Sequence, residues 1–155
     1  MKKLISLMLA AFLVLTMTAC GGNAEPAKDT VDLNALYEEC AAIMPEMMLL
    51  DENTMLNFLG VKAEDCAQVV TAISAGGLAA DEIWLIEAKN EEAYDRLIQL
   101  VNVRLTAKEE ETINYTPDQY VIVEKAQILT KDLYIAFLVS PDVDDLKAIV
   151  EAAVN

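Results

Sequence analysis

Gln127-Ile128-Leu129-Thr130-Lys131-Asp132-Leu133-Tyr134-Ile135-Ala136-Phe137-Leu138-Val139 is the stretch from which the fold of this chain follows. Apolar, β-favouring residues fill Gln127–Thr130 and again Leu133–Val139. The polar pair Lys131-Asp132 separates them, which predicts a β-hairpin. In the second arm Leu133, Ile135, Phe137 and Val139 alternate with Tyr134, Ala136 and Leu138. Successive side chains of a strand point to opposite faces, so both faces of this arm are apolar. Such a strand is either central and covered on both sides, or leaves one face partly exposed.

A second hairpin lies upstream. Val69-Val70-Thr71-Ala72-Ile73 is mostly β-branched and reads as a strand. Ser74-Ala75-Gly76-Gly77 break it, and Ile83–Ala88 (IWLIEA) forms its partner across a broad loop. Helices surround these strands. Asp32 is a candidate N-cap for a helix with Leu33, Leu36, Tyr37, Cys40, Ile43 and Met44 on one face, ended by Pro45. A short helix is expected from Asp51 or Asn53 to a C-cap at Gly60. Asn90 caps a longer one, with Glu91 and Glu92 suited to its first turn and Tyr94, Leu97, Ile98, Val101 and Leu105 as its stripe. Its end, Lys108–Glu111, reads as a solvated last turn. Pro117–Lys125 is short and helical or irregular, and Tyr120–Val123 within it also fits a strand. Ser140 as N-cap and Pro141 at the first helical position open the last helix, with Val143, Leu146, Ile149, Val150 and Ala153 buried.

The order α-α-β-β-α-β-β-α predicts an α+β domain: an antiparallel sheet of about four strands with helices packed on one face. Three motifs carry a resemblance to a known family: Asp81-Glu82-Ile83, Tyr115-Thr116-Pro117-Asp118-Gln119-Tyr120, and Thr130-Lys131 followed by Tyr134. In this order they resemble small lipoproteins of Firmicutes with the domain of unknown function numbered 4358, over roughly Val31 to Ala153. Family members often have Gly-Asn or Gly-Asp before the tyrosine of the last hairpin, where this chain has Asp132-Leu133. The resemblance implies an envelope lipoprotein and supplies no catalytic residues.

The N-terminus agrees with that expectation. Lys2 and Lys3 precede an uncharged, largely apolar run from Leu4 to Met17, and Thr18-Ala19-Cys20-Gly21-Gly22 follow. This is the layout of a secretory signal peptide. Fourteen residues of helix span about 21 Å, short of the roughly 30 Å of a bilayer core, which disfavours a transmembrane anchor. Met17-Thr18-Ala19-Cys20 resembles a lipobox, with Met17 where leucine is usual. The resemblance implies cleavage of residues 1–19 and a diacylglyceryl group on the Cys20 thiol. A plain cleaved signal with an incidental cysteine is the alternative. Residues 20–30 then form a tether with a reach of about 15–20 Å, and 31–155 a single globular domain.

Beyond the leader, nine basic residues face twenty-six acidic ones, a net charge of −17. That surface repels nucleic acid and anionic lipid headgroups, so the expected membrane partner is lipid reached through Cys20. The chain has no histidine, which removes His-based triads and His-ligated metals. It also has neither Cys-x-x-Cys nor a phosphate-binding glycine loop. Cys40 and Cys66 fit buried thiols better than a disulfide. Asp142, Asp144 and Asp145 crowd the start of the last helix, where acids cap better than they bind Ca²⁺ without an EF-hand's glycine and glutamate. Glu109–Glu111 read as a solvated run. Asp81, Glu82 and Trp84 adjoin a strand edge, with Trp84 read as core over an exposed recognition aromatic. Met44, Met47, Met48 and Met55 read as core filling over an adaptable surface.

The expectation is therefore no enzyme, no cofactor, no metal and no catalytic residue. The expected protein is a lipid-anchored extracytoplasmic domain that binds an envelope protein or extracellular ligand. Solute capture for a transporter is the alternative, and an acid-driven hydrolase ranks third.

Overall fold

The computed structural model describes residues 30–154. The expected signal peptide, Cys20 and the expected tether up to Asp29 lie outside the described residues. Val31–Asn155 forms one compact unit. The sheet has five strands among the described residues: β1 (Met47–Leu49), β2 (Cys66–Ser74), β3 (Glu82–Ala88), β4 (Gln127–Lys131) and β5 (Tyr134–Val139). All neighbours are antiparallel, in the order β1-β2-β3-β5-β4. The predicted class holds, and the predicted element order holds roughly, with one strand and the helix Pro117–Val123 added to it. The extra strand is β1, three residues pairing Met47, Met48 and Leu49 with Ser74, Ile73 and Ala72. It lies where the methionine cluster reads as core, and Met48 is in fact 49 % exposed on this edge, whereas Met55 is buried.

The two hairpins join through β3 and β5, whose register runs from Glu82↔Val139 to Glu87↔Tyr134. In the turn, Asp132 adopts φ 50°. Aspartate tolerates this left-handed conformation, so the hairpin closes without a glycine. β3 and β5 are thus interior strands, which explains why β5 is apolar on both sides. Helices consequently cover both faces, and the expectation of one covered face is corrected. A sheet whose inner strands alternate Trp84, Ile86, Phe137 on one side with Ile83, Leu85, Leu138 on the other has two apolar surfaces to bury.

On one face pack α2 (Glu52–Thr54) with the π-turn that continues it (Met55–Leu59), α3 (Glu91–Tyr115) and α4 (Pro117–Val123). Asp51 caps α2 by accepting from the Thr54 amide at 2.7 Å. Gly60 ends the π-turn at φ 75°, where a Cβ would also press on Leu100 at 3.3 Å. Asn90 caps α3 through Ala93 at 2.9 Å. On the other face pack α1 (Leu33–Ala41) and α5 (Val143–Val154). Asp32 caps α1 through the amides of Asn34 and Ala35 at 2.9 and 3.3 Å. The helix stops three residues before Met44. The start of α5 is also later than predicted. Ser140 Oγ accepts from the Asp142 amide at 3.2 Å, and the Asp142 carbonyl receives the first helical bonds. Pro141 therefore lies before the helix. Tyr120–Val123 is helical, as part of α4.

Candidate functional site

β3 opens on two carboxylates whose surroundings differ. Glu82, Trp84 and Ile86 face α3. Glu82 sits at 0 % exposure, and its carboxylate gathers four donor groups. Arg104 binds it in a fork, Nε to Oε1 at 2.8 Å and Nη2 to Oε2 at 2.7 Å. Lys108 Nζ lies 3.0 Å from Oε2, and Trp84 Nε1 donates to Oε1 at 2.7 Å. Burial alone would push the Glu82 carboxyl up. The Arg104 hydrogen bonds and the Lys108 and Arg104 charges outweigh it and hold the group below the usual range. Arg104 also stacks on Phe58, 4.7 Å from the ring centroid. Trp84 meets Phe137 edge to face at 5.8 Å. Ionised and saturated with donors, Glu82 has no free lone pair with which to accept a substrate proton. Its chemistry is that of a buried electrostatic rivet.

Asp81 behaves in the opposite way. It is 5 % exposed and its Oδ1 has no hydrogen-bond partner. Burial pushes its carboxyl up, outweighing its own amide, the Ser140 hydroxyl and the Lys108 charge, and Asp142 adds to the rise. Ahead of it, the Ala80 amide donates to Gln119 Oε1 at 3.0 Å. The first two motifs of the family resemblance therefore meet, because Gln119 of α4 fixes the residue that leads into Asp81-Glu82.

The third motif lies elsewhere. Thr130, Lys131 and Tyr134 line a pocket of about 250 Å³ between the β4–β5 hairpin, α1 and α5. Its floor includes Leu33, Leu36, Leu85, Leu129 and Ala136. Ala136 is the smallest residue on this face of β5 and leaves the hollow that a larger side chain would fill. The pocket edge is pinned at the start of α1. Tyr134 Oη accepts from the Val31 amide at 3.1 Å, and Gln68 Nε2 donates to the Val31 carbonyl at 2.8 Å. Thr130, Lys131 and Glu151 form an exposed, charged mouth. The Glu151 carboxylate lies 3.9 Å from Lys147 on its own helix.

The remaining candidates fall apart spatially. Cys20 lies outside the described residues. Asp142, Asp144 and Asp145 are exposed at the start of α5, and among the described residues no three acidic or cysteine side chains converge on a metal position. Trp84 is core, on an interior strand. Cys40 and Cys66 are free thiols on opposite faces of the sheet: Cys40 is buried in one core as expected, whereas Cys66 is only half-buried against the other. Burial, then a neighbouring acid, pushes each thiol up to about 11. Lys108 corrects the expected solvated turn. It is buried, and α3 runs on to Tyr115. Sequence reasoning missed Arg104 and Lys108, yet the buried stripe Ala93, Leu97, Val101 extends at helical spacing through Lys108 to Thr112. Continuing the period from Val101 at i+3 and i+7 reaches Arg104 and Lys108.

No described helix is long and apolar enough to cross a membrane. No curated protein and no solved structure shows a significant match to the chain. One family does match, over residues 39–140, from the last turns of α1 to the end of β5. By that match, which covers more than half of its length, the chain belongs to the family described as Domain of unknown function (DUF4358).

Proposed function

We propose that this chain is a lipid-anchored lipoprotein of a Gram-positive (Firmicutes) cell envelope, held on the extracytoplasmic face. Its domain binds an envelope protein or an extracellular ligand and is not an enzyme. The observation that carries this reading is Cys20 placed directly after Met17-Thr18-Ala19, behind a Lys-led apolar run of signal-peptide length. Two acyl chains at one cysteine make a durable anchor where a single chain is marginal. The charge of −17 past the leader supports anchoring by lipid over attraction to anionic headgroups. The saturated Glu82 carboxylate supports a binding role over acid catalysis, since the most deeply buried acid is spent on holding α3 to β3. Solute capture for a transporter is the second reading, favoured by the pocket under α1 and α5.

Membrane fractionation of cells expressing Cys20→Ala tests the anchor. The substituted protein is expected to leave the membrane fraction that holds the wild type. Full retention of Cys20→Ala in the membrane contradicts it.

A further inference from the structure

We infer that the pocket between the β4–β5 hairpin, α1 and α5 binds a small apolar amino acid as its zwitterion. The inference deepens the binding reading above and is independent of the anchor. The size of the ligand comes first. At roughly 30 Å³ per water-sized group, 250 Å³ holds about eight such groups. That matches a leucine-sized molecule. The floor is aliphatic, so the body of the ligand is apolar.

The mouth then fixes the head. Lys131 lies on it and has no ion-pair partner among the described residues, unlike Arg96, Arg104, Lys108 and Lys147. It offers a positive charge to a carboxylate. Facing the same space are Glu151 and Val154 of the last turn of α5, a turn without a basic residue. The terminal carbonyls of a helix lack intrahelical donors and carry partial negative charge. They favour an ammonium group. A lone carboxylate would meet Glu151 and the helix end, and a lone amine would meet Lys131. A molecule bearing both charges on one carbon next to an apolar chain satisfies the two sides together.

Isothermal titration calorimetry of the full-length protein against L-leucine, 4-methylpentanoate and 3-methylbutylamine separates these cases. Leucine is expected to bind at least about tenfold more tightly than either half-analogue. Lys131→Glu should weaken leucine and 4-methylpentanoate by about tenfold and spare 3-methylbutylamine, whereas Glu151→Gln should weaken leucine and 3-methylbutylamine and spare 4-methylpentanoate. Leu129→Trp, which fills the floor, should abolish binding while near-ultraviolet circular dichroism shows the fold intact. No saturable heat with leucine up to about 10 mM, equal binding of all three compounds, or unchanged binding by Leu129→Trp each overturns the inference. Those results leave the Cys20 anchor standing, and membrane retention of Cys20→Ala leaves the pocket standing, so the two failures are distinguishable.

Discussion

On the α3 side of the sheet, a carboxylate with no solvent exposure meets an arginine fork, a lysine and an indole N–H. On the α1 and α5 side, apolar walls leave a hollow of about 250 Å³ whose charges stand at its mouth. The first region spends all its polar capacity internally. Desolvating an ion costs several kcal/mol, and only complete pairing offsets that. The second region keeps unfilled contact surface, which lowers packing stability and leaves room for something else. Buried charge in this domain therefore marks architecture, and incomplete packing marks the candidate site.

Substitutions can break this contrast, beginning with the largest expected effect. Glu82→Ala strands Arg104, Lys108 and the Trp84 N–H in the interior and should cost about 3–5 kcal/mol in urea denaturation. A loss below about 1 kcal/mol would place the cluster among weak surface pairs instead. Lys108→Met retains the Arg104 fork on Glu82 and should cost less, about 1–3 kcal/mol. Asp81→Asn should raise stability at neutral pH by about 1 kcal/mol, because it removes a buried carboxylate that ionises reluctantly. Leu129→Trp enters existing space, so its unfolding free energy should change by less than about 1 kcal/mol while ligand binding is lost.

The two adjacent carboxylates also sharpen the comparison through pH. The folded-state pKa of Glu82 is held below its ordinary 4.5. Its stabilisation is present above that value and lost as pH falls through the folded pKa. Asp81 is raised above its ordinary 3.8. It contributes stability while protonated, and that contribution is lost as pH rises from 3.8 through the raised value. Denaturation midpoints followed across the acid range should show the second slope in the wild type. They should not show it in Asp81→Asn.

Much of this arrangement was readable from local pattern. The alternation of Leu133 to Val139 placed a strand with two apolar faces, and the caps at Asp32, Asp51 and Asn90 placed three helix starts to within a residue or two. Two features escaped for physical reasons. β1 is three residues long and gains its strand character from pairing with β2, a tertiary cause that Met47-Met48-Leu49 does not announce. Lys108 resembles any exposed lysine until Glu82, twenty-six positions away in sequence, is brought beneath it. Whether helices cover one face or both was open at β5, and the insertion of β3 beside it decided the matter. The pocket depends on Ala136 being small where three elements converge, which a single sequence does not reveal. The motifs of the family resemblance pointed to both regions, Asp81-Glu82 with Gln119 at one and Thr130, Lys131 and Tyr134 at the other, without saying which is structural.

The proposed cell-surface role requires that the domain be held at the membrane through Cys20. Intact-mass spectrometry of the protein extracted from cell membranes tests this most directly. The account predicts a chain beginning at Cys20 and carrying the mass of a diacylglyceryl group. A chain that retains Met1, or one cleaved near Cys20 with an unmodified thiol, would contradict it.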